Sequence, residues 1–308
     1  MNSADADGEG GGWLNPRLRA RVLLYLAIGA SFALFWWVGR WFGIPAEPGF
    51  DGSILRQPAP VLVVIVLAVA MAVATAFGTA IGSIIRFDAG LLIASLGLGA
   101  ISIRGGTVQD VLLSADGAGV LPVLALEQVV LFAIVAGIWL GLWRLRERGL
   151  LKTDEPEEPQ ETGGNPVVAV AIQVIVMGLV LMIMLAQSAE KFQVLMAVGV
   201  GAFVGAGLAK NYYPAKGLDA WYWVGPAGAG LAGYVLAYAT APAAGVEIGQ
   251  LYGSFAGLAR ALPLDYAAWG TAGALLGRGV GASMLQPVAS MLLGSPKPGE
   301  KKNGPKGK

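Results

Sequence analysis

Two charged residues fall inside the apolar stretches of this chain, Glu127 and Arg278, and they carry opposite signs. Each would cost roughly 2.5–3.5 kcal/mol at the centre of a lipid-embedded helix, so such groups usually face a bundle interior or a wet cavity. They either pair across the bundle and line a polar path, or act separately, Glu127 reaching the outer headgroups and Arg278 snorkelling inward. Gln128 adds an amide beside the carboxylate, and Gln173 interrupts the fifth apolar stretch. A glutamine there is expected to make one interhelical hydrogen bond. Glu127, Gln128, Gln173 and Arg278 form the candidate polar membrane centre. Asp88, Asp219 and Asp265 lie at stretch ends, where aspartate more often caps a helix than binds a cation.

A second feature with chemical consequence is Gly225-Pro226-Ala227-Gly228. Proline removes a backbone hydrogen bond, and lipid cannot satisfy the freed carbonyl. Gly225, Pro226 and Gly228 are therefore the candidate helix break, with a plain kink as the milder form. Broken helices often hold transporter substrate sites.

Other chemistry is excluded by what the chain lacks. It has no cysteine and no histidine. Thiolate nucleophiles, Cys/His zinc sites and the commonest general base near neutral pH are absent with them. No P-loop, dinucleotide-binding glycine motif, HExxH or GxSxG occurs. We expect no catalytic residues, no metal ligands, no cofactor and no nucleic-acid partner; candidate acids and bases are too sparse for an intramembrane enzyme.

The elements that must position these residues follow from composition. Of 308 residues, 56% are hydrophobic and 13% charged, against about 25% charged in soluble domains. Eight apolar stretches are long enough, or nearly so, to cross a hydrocarbon core about 30 Å thick. They run Val22–Phe42, Val61–Ile85, Ala89–Ile103, Val120–Trp143, Pro166–Ala186, Phe192–Ala209, Trp221–Thr240 and Tyr266–Gln286. The first is longer than a signal-peptide core of about 7–15 residues and reads as a retained anchor. The third has 15 residues between Asp88 and Arg104, about 22 Å of helix, and rivals a re-entrant hairpin.

If all eight cross, 15 of the 21 basic residues lie on the side of the N-terminus and five on the other, with Arg278 inside the last span. That bias makes both termini cytoplasmic. The predicted fold is all-α: a polytopic bundle of about eight transmembrane helices in a four-plus-four plan, in the cell (plasma) membrane. Residues 1–16 and 295–308 are polar tails, the latter Lys-rich, and 153–165 is an acidic linker between membrane halves 17–152 and 166–294. Tryptophans and tyrosines at stretch ends, Trp36, Trp37, Trp41, Trp139, Trp143, Tyr212, Tyr213, Trp221, Tyr222, Trp223, Tyr266 and Trp269, read as interface anchors.

Three further expectations follow. Met71-Ala72-Val73 and Met196-Ala197-Val198, each followed by Phe and Gly, hint at a parallel repeat offset by 125 residues. In the outer loop Ala241 to Asp265, Leu251, Phe255, Leu258 and Leu262 share one helical face, suggesting an amphipathic helix on the membrane surface, with a pore-lining re-entrant loop as the alternative. Glycines spaced by four, Gly78 and Gly82, Gly201 and Gly205, and Gly273, Gly277 and Gly281, let helix backbones approach closely.

The partners implied are the lipid bilayer and either a second copy of the chain or another membrane protein. Two functions fit: movement of a small solute or ion through the polar centre, or a non-catalytic membrane scaffold that uses its glycine faces for assembly.

Overall fold

A computed structural model describes residues 16–41, 52–82, 88–114, 119–151, 164–186, 190–213, 221–240 and 255–279. The tail 1–15, most of the acidic linker, Asp219, the start of the outer loop, Gly281 and the Lys-rich tail lie outside the described residues. What is described is all-helical: α1 Pro16–Trp41, α2 Pro60–Gly82, α3 Ala89–Arg104, α4 Val108–Ser114, α5 Val120–Glu147, α6 Pro166–Met184, α7 Lys191–Tyr212 and α8 Trp221–Thr240. After these come a 3-10 segment Phe255–Arg260, a single turn α9 Pro263–Asp265, a π-helical turn Tyr266–Gly270 and α10 Thr271–Arg278.

Helix starts and stops follow local chemistry. Asn165 caps α6 by accepting from the Val167 amide at 2.9 Å, with Pro166 at the first helical position, where its missing N–H costs nothing. Thr107 and Asp110 bracket the start of α4. The Thr107 amide and hydroxyl donate to Asp110 Oδ2 at 2.7 and 2.9 Å. Gly106 supplies the left-handed residue (φ 67°) that turns the chain there.

The outer surface is apolar. On α2, Val61, Ile65, Val69, Val73 and Phe77 are exposed, one residue per turn on a single face. Ile175, Leu179 and Ile183 repeat the pattern on α6. The interior, by contrast, holds Asp88, Glu127, Gln128, Gln173, Arg260, Asp265 and Arg278. In water this would be inside out; with lipid as the outer solvent both faces are satisfied.

Five helices are long and apolar enough to cross a membrane: Val22–Trp41, Pro60–Ile81, Val120–Glu147, Pro166–Met184 and Lys191–Tyr212. The structure is that of a helical membrane bundle, with five such helices among the described residues where eight crossings were expected. The three remaining stretches differ for physical reasons. α3 has 16 residues, 13 of them buried, and packs against α1, α2, the π-turn and α10. A helix sheathed in protein need not match the hydrocarbon thickness. α8 is diluted by glycine and alanine and carries Pro226 internally. The last stretch is described only to Gly279, and its first half is α9, the π-turn and α10 rather than one straight helix.

Other expectations are corrected. The segment Leu258 to Leu264 is buried beneath α8 and α6 instead of lying on the surface. Its backbone passes so close to α8 that a Cβ on Gly233 would sit 2.6 Å from Leu258. Trp36, Trp37, Trp41, Tyr212 and Tyr213 are exposed, as interface anchors should be, but Trp139, Tyr222, Trp223 and Tyr266 are core residues. Trp139 stacks on Trp143 and tilts against Trp223, with ring centroids 6.4 and 6.3 Å apart. The suggested repeat does not occupy equivalent environments: Met71 is buried and Val73 exposed, whereas Met196 is exposed and Val198 buried.

The glycines that the spacing singled out sit at close approaches. Gly78 faces Ile93 of α3; Gly201 and Gly205 face Met177 and Gln173 of α6 at 3.3 and 3.2 Å from the ideal Cβ position. Gly273 and Gly277 lie directly on the backbone carbonyls of Gly199 and Phe203 of α7. Gly82 ends α2. Gly137 and Gly141 on α5 have nothing near a Cβ. Gly273→Val or Gly277→Val should therefore separate α10 from α7 and lower the melting temperature in detergent by roughly 5 °C or more. Gly137→Ala and Gly141→Ala should leave it unchanged or slightly raised.

Candidate functional site

Two buried short segments run antiparallel through the middle of the bundle: α3, and the α9–π-turn–α10 unit. Their mutual register is set at both ends by charge. Asp88, at the start of α3, faces Arg278 at the end of α10, with Oδ2 and Nη2 3.5 Å apart and both side chains almost fully buried. At the opposite end Ser102, late in α3, donates to Asp265 Oδ1 at 2.7 Å.

Asp265 is engaged from three elements. Besides Ser102 it holds the Lys191 ammonium at 2.6 Å and accepts from the Leu262 amide on Oδ2 at 2.9 Å. The last contact is the helix-capping role expected at a stretch end; the other two are tertiary. Lys191, at the first residue of α7, keeps 12% of its side chain exposed, Asp265 only 1%. Asp88 stands at the start of α3 but makes no side-chain cap there; its carboxylate faces Arg278.

Glu127 lies at the same end of the bundle as Asp265. Its Oε2 accepts from the Ser53 hydroxyl at 2.6 Å and the Leu55 amide at 3.2 Å, both in the segment preceding α2. Glu127 and Arg278, the two charges singled out from sequence, thus have different partners at opposite ends of α3.

Two tyrosines anchor the buried segment between α8 and α9. The Tyr234 hydroxyl donates to Ala261 O at 2.5 Å and that of Tyr266 to Leu258 O at 2.6 Å. The Arg260 guanidinium donates to Leu185 O, and Gln193 to Met184 O, so α6 ends with its last carbonyls satisfied from outside as a buried helix terminus requires. These side chains fix non-helical backbone inside protein, the setting in which membrane proteins tolerate it.

Around Pro226 the helix is continuous: α8 runs from Trp221 to Thr240 with the proline inside it. Two glutamine amides grip it there. Gln173 Nε2 donates to Trp221 O at 3.0 Å and to its own helix at Ala169 O at 3.3 Å. Gln128 Nε2 donates to Pro226 O and Ala227 O, each at 3.3 Å. Gly225 and Gly230 make room, because a Cβ on either would overlap the Gln173 or Gln128 amide. Gly228 faces Val174 of α6. Gln128, Gln173, Gly225 and Pro226 are thus gathered at one place, and Glu127 and Arg278 are elsewhere.

Sequence reading missed Lys191, Ser102 and Ser53 as site members. A lysine flanking an apolar stretch reads as one more outer-loop charge, and serines in apolar helices carry no signal until a partner is placed opposite. Asp88 and Asp265 read from sequence only as caps; the seven-residue spacing of Asp88, Ser95 and Ser102 is the signal that marks one face of α3. Comparison of the chain with protein-family models, with characterised proteins and with solved structures finds no match.

The ion-pair assignments are open to exchange experiments. Asp88→Arg and Arg278→Asp should each unfold or strongly destabilise the protein, by about 3 kcal/mol or more, and their combination should recover part of the loss. Combining Glu127→Arg with Arg278→Glu should recover nothing. Thermal melts of the purified variants separate these outcomes.

Proposed function

We propose that this multi-pass integral membrane protein of the cell (plasma) membrane moves a small solute or ion through the polar centre of its helix bundle. The observation that carries the reading is Asp265, buried among Lys191, Ser102 and the Leu262 amide, with Glu127 buried on a neighbouring helix. Lipid-embedded carboxylates are costly and characteristically mark ion or proton routes.

In the proposed topology both termini are cytoplasmic and the chain crosses in four-plus-four fashion. Asp88 and Arg278 then lie toward the cytoplasm, and Lys191, Asp265, Ser102 and Glu127 toward the outside. A second reading, a scaffold that assembles with another membrane protein or a second copy, is favoured by one observation: Gly273 and Gly277 set α10 directly on the α7 backbone, a tight packing that leaves no path between those two helices.

The two readings part in proteoliposomes. Reconstituted wild-type protein should carry protons or monovalent cations down an imposed gradient, followed with an internal pH dye or radiolabelled ion. Glu127→Gln keeps an acceptor for Ser53 and Leu55 while removing the charge, and should cut flux at least tenfold in protein that still melts cooperatively. Flux no greater than that of protein-free vesicles, from protein that melts cooperatively, would leave the scaffold.

A further inference from the structure

The polar residues of the central helix pair form a ladder. On α3, Asp88, Ser95 and Ser102 follow one another at intervals of seven residues. Seven residues are nearly two turns, so the three share one face of the helix. That face meets the α9–π-turn–α10 unit, because Asp88 touches Arg278 and Ser102 touches Asp265. On α10, Thr271 lies seven residues before Arg278 and so on the face that looks toward Asp88. The antiparallel register therefore sets Ser95, midway along α3, level with Thr271.

The two outer rungs are satisfied by charge. The middle rung is not satisfied by protein. Ser95 and Thr271 are fully buried, and neither hydroxyl has a hydrogen-bond partner among the described residues. A buried hydroxyl without a partner costs about 1–3 kcal/mol, and two at one level of one interface call for an explanation. Other unpartnered hydroxyls, Ser31, Thr75 and Thr79, occur on α1 and α2, where Gly97 and Gly90 of α3 face Ser31 and Thr79. They lie on other sides of α3 and lack an opposing hydroxyl from α10.

We propose that Ser95 and Thr271 form a binding site for a small monovalent cation, the hydrated proton included, midway between the Asp88–Arg278 pair and the Lys191–Asp265–Ser102 cluster. This rests on the transport reading and names the class of species moved. The chemistry favours a cation. Each hydroxyl brings two lone pairs and one proton, and the mid-helix amides around them are committed to helical hydrogen bonds, so acceptors outnumber donors. Hard oxygen ligands suit small hard cations. Carboxylates stand at both ends of the route, and Lys191, partly exposed, is placed to yield its hold on Asp265 to an arriving cation. The Trp269 indole lies on Gly99 at 3.1 Å from the ideal Cβ position, between the middle rung and Asp265, where its displacement would open the way. Asp88 to Ser102 spans about 21 Å of helix, most of a hydrocarbon core.

The test uses the full chain carrying Ser95→Ala, Thr271→Val or both. Thermal melts are run in sodium, potassium, lithium and choline chloride at equal ionic strength. Flux is measured in proteoliposomes with sodium, with potassium, and with a proton gradient read by pyranine. In choline the double variant should melt at or above the wild type, since two unpaired hydroxyls are gone. One of the small cations should raise the wild-type melting temperature by roughly 3 °C and leave the double variant unmoved. If the proton is the species bound, no metal cation shifts the melt, and proton flux alone should fall at least tenfold in the double variant. Wild-type flux that the double variant fully retains would overturn the middle-rung site and leave the transport reading standing. Absence of wild-type flux in every arm would remove the transport reading itself, and with it this site.

Discussion

The fold depends on one constraint: polar groups taken out of water must find partners inside the protein, because lipid offers none. The outer faces of α2 and α6 are continuous apolar stripes, and nearly every charged side chain within the bundle is turned inward. Each inward charge then dictates a neighbour. Arg278 requires Asp88, and Asp265 draws in both Lys191 and Ser102. Those contacts sit at the two ends of the α3 and α9–α10 pair, so they set its register as well as neutralise it.

The same constraint explains the glutamines. A proline inside a helix leaves weakened backbone bonding on both sides, and in lipid that weakness would cost several kcal/mol. Gln173 and Gln128 approach α8 from two different helices and donate to carbonyls flanking Pro226. They can do so only because Gly225 and Gly230 leave room for the amides. The surroundings of the proline are therefore a tertiary property: side chains from two other helices meet α8 there. The buried 3-10 segment is held by the same means, with tyrosine and arginine side chains donating to carbonyls that no helix satisfies.

Close backbone packing supplies the remaining cohesion. Between apolar helices in apolar solvent there is little hydrophobic driving force, so dispersion at short range must serve. α7 presents glycines on two faces, Gly201 and Gly205 to α6 and Gly199 to Trp269 of the π-turn, and packs against α6, α10 and α8. α3 plays a corresponding part, packed against α1 and α2 through Gly78, Gly90 and Gly97.

Much of this was legible in the chain itself. Hydropathy and length established the membrane bundle and the boundaries of its long helices, because those properties are local and the bilayer enforces them segment by segment. Glycine spacing pointed to faces that do pack closely, for the same local reason. What sequence could not supply was pairing. Whether Glu127 meets Arg278, whether Tyr222 and Trp223 face lipid or core, and whether Leu258 floats on the surface or lies under α8 are matters of which helix stands beside which. A sixteen-residue apolar helix can be a marginal crossing or a sheathed core; only its neighbours distinguish the two. The residues around Asp265 come from α3, α7 and the segment before α9, separated by as many as 163 positions in the chain, and only their assembly in three dimensions turned a lysine, a serine and an aspartate into one site.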